Sequence, residues 1–156
     1  QQLDENLAYV ALGKTEGAEL PCGGDRLTRD TDGYFMAPGV FLNTTNDMRI
    51  NREEMFAPLA AVIKVDSYSE ALHVVNDTHF GLTSGIVTRS LSRATHFRRN
   101  ARTGCVMVNL PTAGTDYHVP FGGRGDSSYG TREQGTYAAE FYTTVKTAYI
   151  ALGTPE

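Results

Sequence analysis

Apolar residues change their spacing several times along this chain, and each change marks a boundary between predicted elements. Near the start, Leu3, Leu7, Val10 and Ala11 recur at helical spacing, and Gly17 is placed to end that helix. Residues 19–22 read as a short strand closed by the turn signal Gly23-Gly24-Asp25, followed by a loop rich in Asp, Thr and Arg. Residues 34–42 read as extended chain, which Pro38 and Gly39 restrict to a sheet edge or a bulged strand. The apolar run 60–65 has the length of a buried strand. Ser67-Tyr68-Ser69-Glu70 carries the capping-box pattern, in which the Ser hydroxyl accepts an orphan backbone N–H and the Glu reaches back. Ala71, Leu72, Val74 and Val75 supply the buried side of that helix, and Gly81 breaks it. Residues 85–88 form the next strand, and Ser90 caps a helix that runs to Arg102 with a thin apolar side of Leu91, Ala94, Thr95 and Phe97. Gly104 stops it, and residues 105–108 are the third strand.

Strand, helix, strand, helix, strand with short joints predicts an α/β fold class with a parallel, helix-covered sheet. The loop at residues 110–129 is long for a compact domain, which marks it as a functional segment or an unstructured one. A last helix is predicted over residues 132–142. The tail Thr144-Val145-Lys146-Thr147-Ala148-Tyr149-Ile150 alternates in polarity and reads as a strand that needs a partner edge, in this chain or a neighbour's.

Composition narrows the function classes. A chain of 156 residues, 40% hydrophobic and 21% charged, fits a soluble domain with a real core. A net charge of -4 gives no electrostatic reason to expect nucleic acid or an anionic membrane as partner. No apolar run approaches the ~18 residues that span a bilayer. The N-terminus has neither a signal peptide's basic start nor its apolar core, and it lacks an initiating Met, so the expectation is a cytoplasmic, processed or excised piece of a longer chain. Cys22 and Cys105 stand far apart and outside any Cys-x-x-Cys pair, which fits neither a disulfide framework nor a zinc site.

The candidate motifs are weak one by one. Gly123-Arg124-Gly125 opens like a dinucleotide fingerprint, but the third Gly position is Ser128. Gly125 to Gly130 has P-loop spacing, yet the Lys position is Thr131. His73, His79, His96 and His118 form no pair at metal-ligand spacing, so no metal is expected. Arg93, Arg98, Arg99 and Arg102 read as a solvated helix face near a helix C-terminus. Glu53 and Glu54 are adjacent, so their side chains diverge and do not make a paired acid and base. One of them can accept hydrogen bonds from a ligand's hydroxyls, or they can pair with Arg49 or Arg52; the residues alone leave both readings open.

Taken in order, the motifs resemble a family. Glu54-Met55-Phe56-Ala57-Pro58 resembles the Glu-x-Phe-Gly-Pro motif of NAD(P)-dependent aldehyde dehydrogenases. Asn76-Asp77-Thr78-His79-Phe80-Gly81-Leu82-Thr83-Ser84-Gly85 and Gly104-Cys105-Val106-Met107-Val108-Asn109 continue the match. Pro120-Phe121-Gly122-Gly123, Ser127-Ser128-Tyr129-Gly130 and Glu133-Gln134-Gly135 complete it, and Glu16-Gly17-Ala18 and Gly33-Tyr34-Phe35 with Pro38 precede it. The loop of residues 109–119 and Arg132-Glu133-Gln134-Gly135 resemble the α-ketoglutaric semialdehyde dehydrogenases in particular. Two departures stand out: Ala57 replaces the family's usual Gly, and Arg124-Gly125-Asp126 replaces a segment that often carries Lys.

The resemblance implies that residues 1–142 are part of the family's catalytic domain and residues 143–156 an oligomerisation strand and tail. Glu54 would accept hydrogen bonds from the nicotinamide ribose of NAD or NADP, Phe56 would pack beside the nicotinamide, and Phe121 would wall the tunnel of a small-molecule aldehyde. In this family a Cys attacks the aldehyde, hydride passes to the cofactor, and water cleaves the acyl thioester with help from a Glu. Cys22 and Cys105 do not match that nucleophile, which would lie upstream with the base and the Rossmann domain. The expectation is a chain without catalytic residues, inactive alone, within a homo-oligomeric parent. The alternative is a non-catalytic structural or assembly module on the same fold.

Overall fold

Asp4 and Glu5 in the first turn and Lys14 in the last complement the dipole of helix α1 (Gln2–Thr15). Gly17 takes φ +96 just past its end, the left-handed geometry that glycine adopts without penalty. Leu3, Asn6, Val10 and Gly13 are its buried face, so Ala11 of the expected stripe is exposed and Leu7 half-buried. The stripe turns because Gly13 offers no side chain. The Phe41 ring lies against the helix there, where a Cβ would come within 2.8 Å of it.

The computed structural model describes residues 1–153, and they divide into two units after His79. In the first, β1 (Glu19–Cys22) precedes a short antiparallel ladder of β2 (Arg26–Leu27), in the segment expected to be loop, with β3 (Phe35–Met36), in the segment expected to be extended. β4 (Gly39–Leu42) pairs antiparallel with β1. The one-turn helix α2 (Arg49–Arg52) follows, and β5 (Leu59–Ala61) runs parallel to β4, giving the order β1-β4-β5. Val10, Ala18, Phe41 and Ile50 form the core, and Phe41 is fully buried. Helix α3 (Tyr68–Asn76) starts on its expected cap: Ser67 Oγ accepts the Glu70 N–H at 3.1 Å. Glu70 reaches one residue further back than a standard capping box and accepts the Asp66 N–H at 2.8 Å.

The second unit begins at Phe80. β6 (Thr83–Ile86) and β7 (Cys105–Val108) pair in parallel through helix α4 (Leu91–Asn100), whose cap is Ser90 and whose buried residue is Phe97. Beyond β7 lie two single 3₁₀ turns, Gly125–Ser127 and Gly135–Tyr137, and helix α5 (Ala138–Tyr142).

The α/β character is present, with two corrections. The expected parallel sheet is two parallel pairs in separate ladders: β5 finds its partner in β4, and β6 pairs with β7. The helix expected over residues 132–142 starts only with the 3₁₀ turn at Gly135 that runs into α5, because the Glu133 N–H goes to the Phe121 carbonyl, the Gly135 N–H goes to the Tyr117 carbonyl, and Gly135 takes φ +63. Residues 144–150 pair with no strand among the described residues of this chain, which leaves the neighbour's edge as the expected partner. Residues 154–156 of the expected tail lie outside the described residues.

Candidate functional site

The segment around Glu54 is built from charge pairs that leave one carboxylate over. The Glu53 carboxylate accepts from Arg49 Nε at 2.7 Å and Nη2 at 3.1 Å, and from the Tyr9 hydroxyl at 2.9 Å. Arg52 donates to the carbonyl of Asp77 at 2.6 Å and to its Oδ2 at 2.8 Å, and Asn46 meets the same two oxygens. Both arginines are thus engaged elsewhere. Glu54 is exposed and makes no hydrogen bond or ion pair among the described residues. Of the two readings left open by the sequence, the structural pairing falls to Glu53, and Glu54 is left without a partner among the described residues.

Two residues on, Phe56 takes φ +49 with its ring 80% exposed. A bulky residue in the left-handed region carries strain of about 1–3 kcal/mol and persists where its surroundings hold it. Ala57 keeps a negative φ, so the methyl that replaces the usual Gly meets no left-handed penalty. The strained position is Phe56 itself, which no sequence signal marked.

Phe121 belongs to the second unit and is half-buried in a tightly tied bend. Its carbonyl accepts the Glu133 N–H at 2.9 Å. Gly123 donates to Ser128 Oγ at 2.6 Å and its carbonyl accepts Arg132 Nη1, while the Gly81 N–H donates to Ser127 Oγ at 2.9 Å. The Ser-Ser and Arg-Glu motifs therefore serve to fix the segment that carries Phe121. Cys105 Sγ lies 3.8 Å from the Gly122 carbonyl behind it, and Cys22 is exposed in the first unit.

Sequence reasoning missed a groove of about 760 Å³ lined by Val87, Thr88, Arg89, Asn109, Leu110 and Pro111. It opens at the C-terminal ends of the parallel pair β6 and β7, the edge where α/β sheets commonly bind ligands. Asn109 takes φ +57, and its amide both accepts the Thr88 N–H at 2.7 Å and donates to the Thr88 carbonyl at 2.9 Å. Asn is one of the few residues at ease in that conformation, and this is the signal that could have found it. Among the described residues no group of three His, Cys, Asp or Glu could hold a metal ion, and no helix is long and apolar enough to cross a membrane.

The acid limb of stability follows from the pairs. Arg49 first, then Tyr9, holds the Glu53 carboxyl below its ordinary 4.5, and Arg52, then Asn46, holds Asp77 below its ordinary 3.8. A carboxyl whose folded value is depressed stabilises the fold fully above its ordinary value and loses that contribution as pH falls through the folded one. Thermal midpoints measured downward from pH 6 should therefore fall below about pH 4.5 less steeply in Glu53→Gln than in wild type. Parallel curves would remove Glu53 from the acid response.

Residues 1–148 match the family model described as the aldehyde dehydrogenase family. The chain belongs to that family. It is 42% identical over 151 residues to an alpha-ketoglutaric semialdehyde dehydrogenase of Bacillus subtilis, covering 96% of this chain and 31% of the relative. An alpha-ketoglutarate semialdehyde dehydrogenase of Haloferax volcanii is 42% identical, over 95% of this chain and 31% of the relative. Among solved structures, an indole-3-acetaldehyde dehydrogenase of P. syringae in complex with NAD+ and IAA superposes with a TM-score of 0.89 at 38% identity, over 97% of this chain and 30% of that one. The chain thus spans about a third of the length of the aldehyde dehydrogenases it matches.

Proposed function

We propose that this chain works within a longer enzyme that oxidises an aldehyde to a carboxylic acid with NAD or NADP. The observation that carries the reading is Glu54: an exposed carboxylate, free of the arginines beside it, two residues before an aromatic ring held in a left-handed conformation. A carboxylate offers acceptors to two neighbouring hydroxyls, which suits the ribose of a nicotinamide cofactor. The cofactor supplies the hydride acceptor. Glu54 holds its ribose, Phe56 limits the nicotinamide's movement, and Phe121 walls the substrate, so the chain contributes orientation. The cysteine thioester chemistry and its base belong to the rest of the longer protein, and cytoplasmic placement goes with this reading. The NAD+ bound in the P. syringae relative supports the cofactor.

α-Ketoglutaric semialdehyde is the substrate we put first, because two of the most similar relatives carry that activity in their names. The longer protein should form NADH or NADPH with this semialdehyde faster than with uncharged aldehydes. Absence of reduced cofactor across a broad aldehyde panel would overturn the reading.

Residues 1–142 then form part of the catalytic domain, and residues 143–156 act as an oligomerisation strand of a homo-oligomer. Val145, Tyr149 and Ile150 are each about nine-tenths exposed or more, an apolar series that supports pairing with a second copy. Removing residues 144–150 should lower the particle mass seen by light scattering, and an unchanged mass would remove the strand from assembly.

A further inference from the structure

One face of α1 grips the whole segment that presents Glu54. At Glu16, Oε1 accepts the Arg49 N–H at 3.0 Å and so caps α2 from outside. At Gly13 the missing side chain lets Ile50 close in, since a Cβ there would lie 3.3 Å from Ile50 Cδ1. At Tyr9 the hydroxyl donates to Glu53 Oε2 at 2.9 Å. At Asn6, buried to 5% exposure, Oδ1 accepts from Gln2 Nε2 at 2.9 Å, and the same nitrogen donates to the Met55 carbonyl at 3.3 Å, so Asn6 holds the side chain that ties Met55 to α1. Positions 6, 9, 13 and 16 advance by three, four and three residues, the spacing of a single helix face.

We infer that this face of α1 is a positioning rail for the cofactor contact, with Tyr9 and Asn6 as its positioning residues. Glu53 and Met55, the two neighbours of Glu54, are both tied to α1. Adjacent side chains diverge in extended backbone, and Glu53 has φ -109 and ψ 149. Fixing Glu53 against Tyr9 therefore turns Glu54 away from the helix and toward solvent. Arg49, clamped on Glu53, is kept from neutralising Glu54. The rail rests on the reading of Glu54 as the cofactor contact and adds what holds it there.

The test is a double-mutant cycle in the longer protein, with dissociation constants for the reduced cofactor read by its fluorescence. Tyr9→Phe keeps its ring in the core and should fold, so it is the main variant, and Asn6→Ala is the second. Tyr9→Phe should weaken NADH or NADPH binding roughly fivefold, the equivalent of one ordinary hydrogen bond, with the aldehyde KM unchanged. In a Glu54→Gln background the same change should have no further effect, because the rail acts through Glu54. Full, additive weakening in that background would overturn the rail alone, as would a thermal shift with unchanged cofactor affinity. Unchanged affinity in Glu54→Gln itself would overturn the cofactor reading and the rail with it.

Discussion

Glu54→Gln in the longer protein is expected to lower kcat/KM for the cofactor by about ten- to a hundredfold, through the loss of charge-assisted hydrogen bonds. The glutamine amide keeps the shape and one acceptor, and its NH2 can only donate to a hydroxyl oxygen, so both contacts lose the charge that strengthens them. Stability should stay within about 0.5 kcal/mol of wild type, because Glu54 is exposed and holds no partner among the described residues. Glu53→Gln should behave in the opposite sense, with its larger effect on folding, since that carboxylate carries Arg49 and Tyr9. Steady-state kinetics and denaturant titration of the two variants separate the roles. A stability loss with unchanged kinetics at position 54 would reverse the assignment.

Gly104→Ala should be among the most damaging single-methyl changes. Its Cβ would sit 1.8 Å from the Gly122 carbonyl oxygen and 2.7 Å from the Gly122 carbonyl carbon. Both are backbone atoms, so no side chain can swing away, and the two segments must part. Gly104 also donates its N–H to the Gly81 carbonyl at 2.8 Å, and that oxygen takes the Arg124 N–H at 2.9 Å. One displacement therefore loosens the start of β7 and the bend that carries Phe121. The expected cost is about 3 kcal/mol, the upper part of the range for overpacking, measured by denaturant unfolding. On the proposed role of Phe121 as a substrate wall, the surviving folded protein should show a raised aldehyde KM. Wild-type stability in this variant would mean that the approach of residue 104 to residue 122 is not a feature of the native protein.

What the sequence made legible is what is local. Cys105 to Val108 announced β7 as an unbroken apolar run, and Ser67 and Ser90 announced two helix starts, because a cap depends on residues three positions away. Helix α2 was hidden for the opposite reason: four residues have no helical periodicity, and its cap comes from Glu16, just past the end of α1. Glu53 and Glu54 could not be told apart as adjacent identical residues; Tyr9 on α1 distinguishes them. Gly135 and Arg132 interrupt the last predicted helix because their backbone and side chain are committed to other segments. The tail's alternation is a real strand pattern, but pattern specifies a face and does not supply a partner. Glu54, Phe56 and Phe121 came from family resemblance, and the left-handed turn at Phe56 from the structure alone.

The proposed contact between Glu54 and the cofactor ribose is tested most directly by removing each side of it in turn. A reduced cofactor analogue lacking one hydroxyl of the nicotinamide ribose is titrated against wild type and Glu54→Gln. Wild type should bind the analogue roughly tenfold more weakly than the natural cofactor, as expected for a lost hydrogen bond to a charged acceptor. Glu54→Gln should lose clearly less on the same change, because its amide meets the hydroxyl without charge. The same loss in both proteins would contradict the account, because the hydroxyl would then be held by some other group.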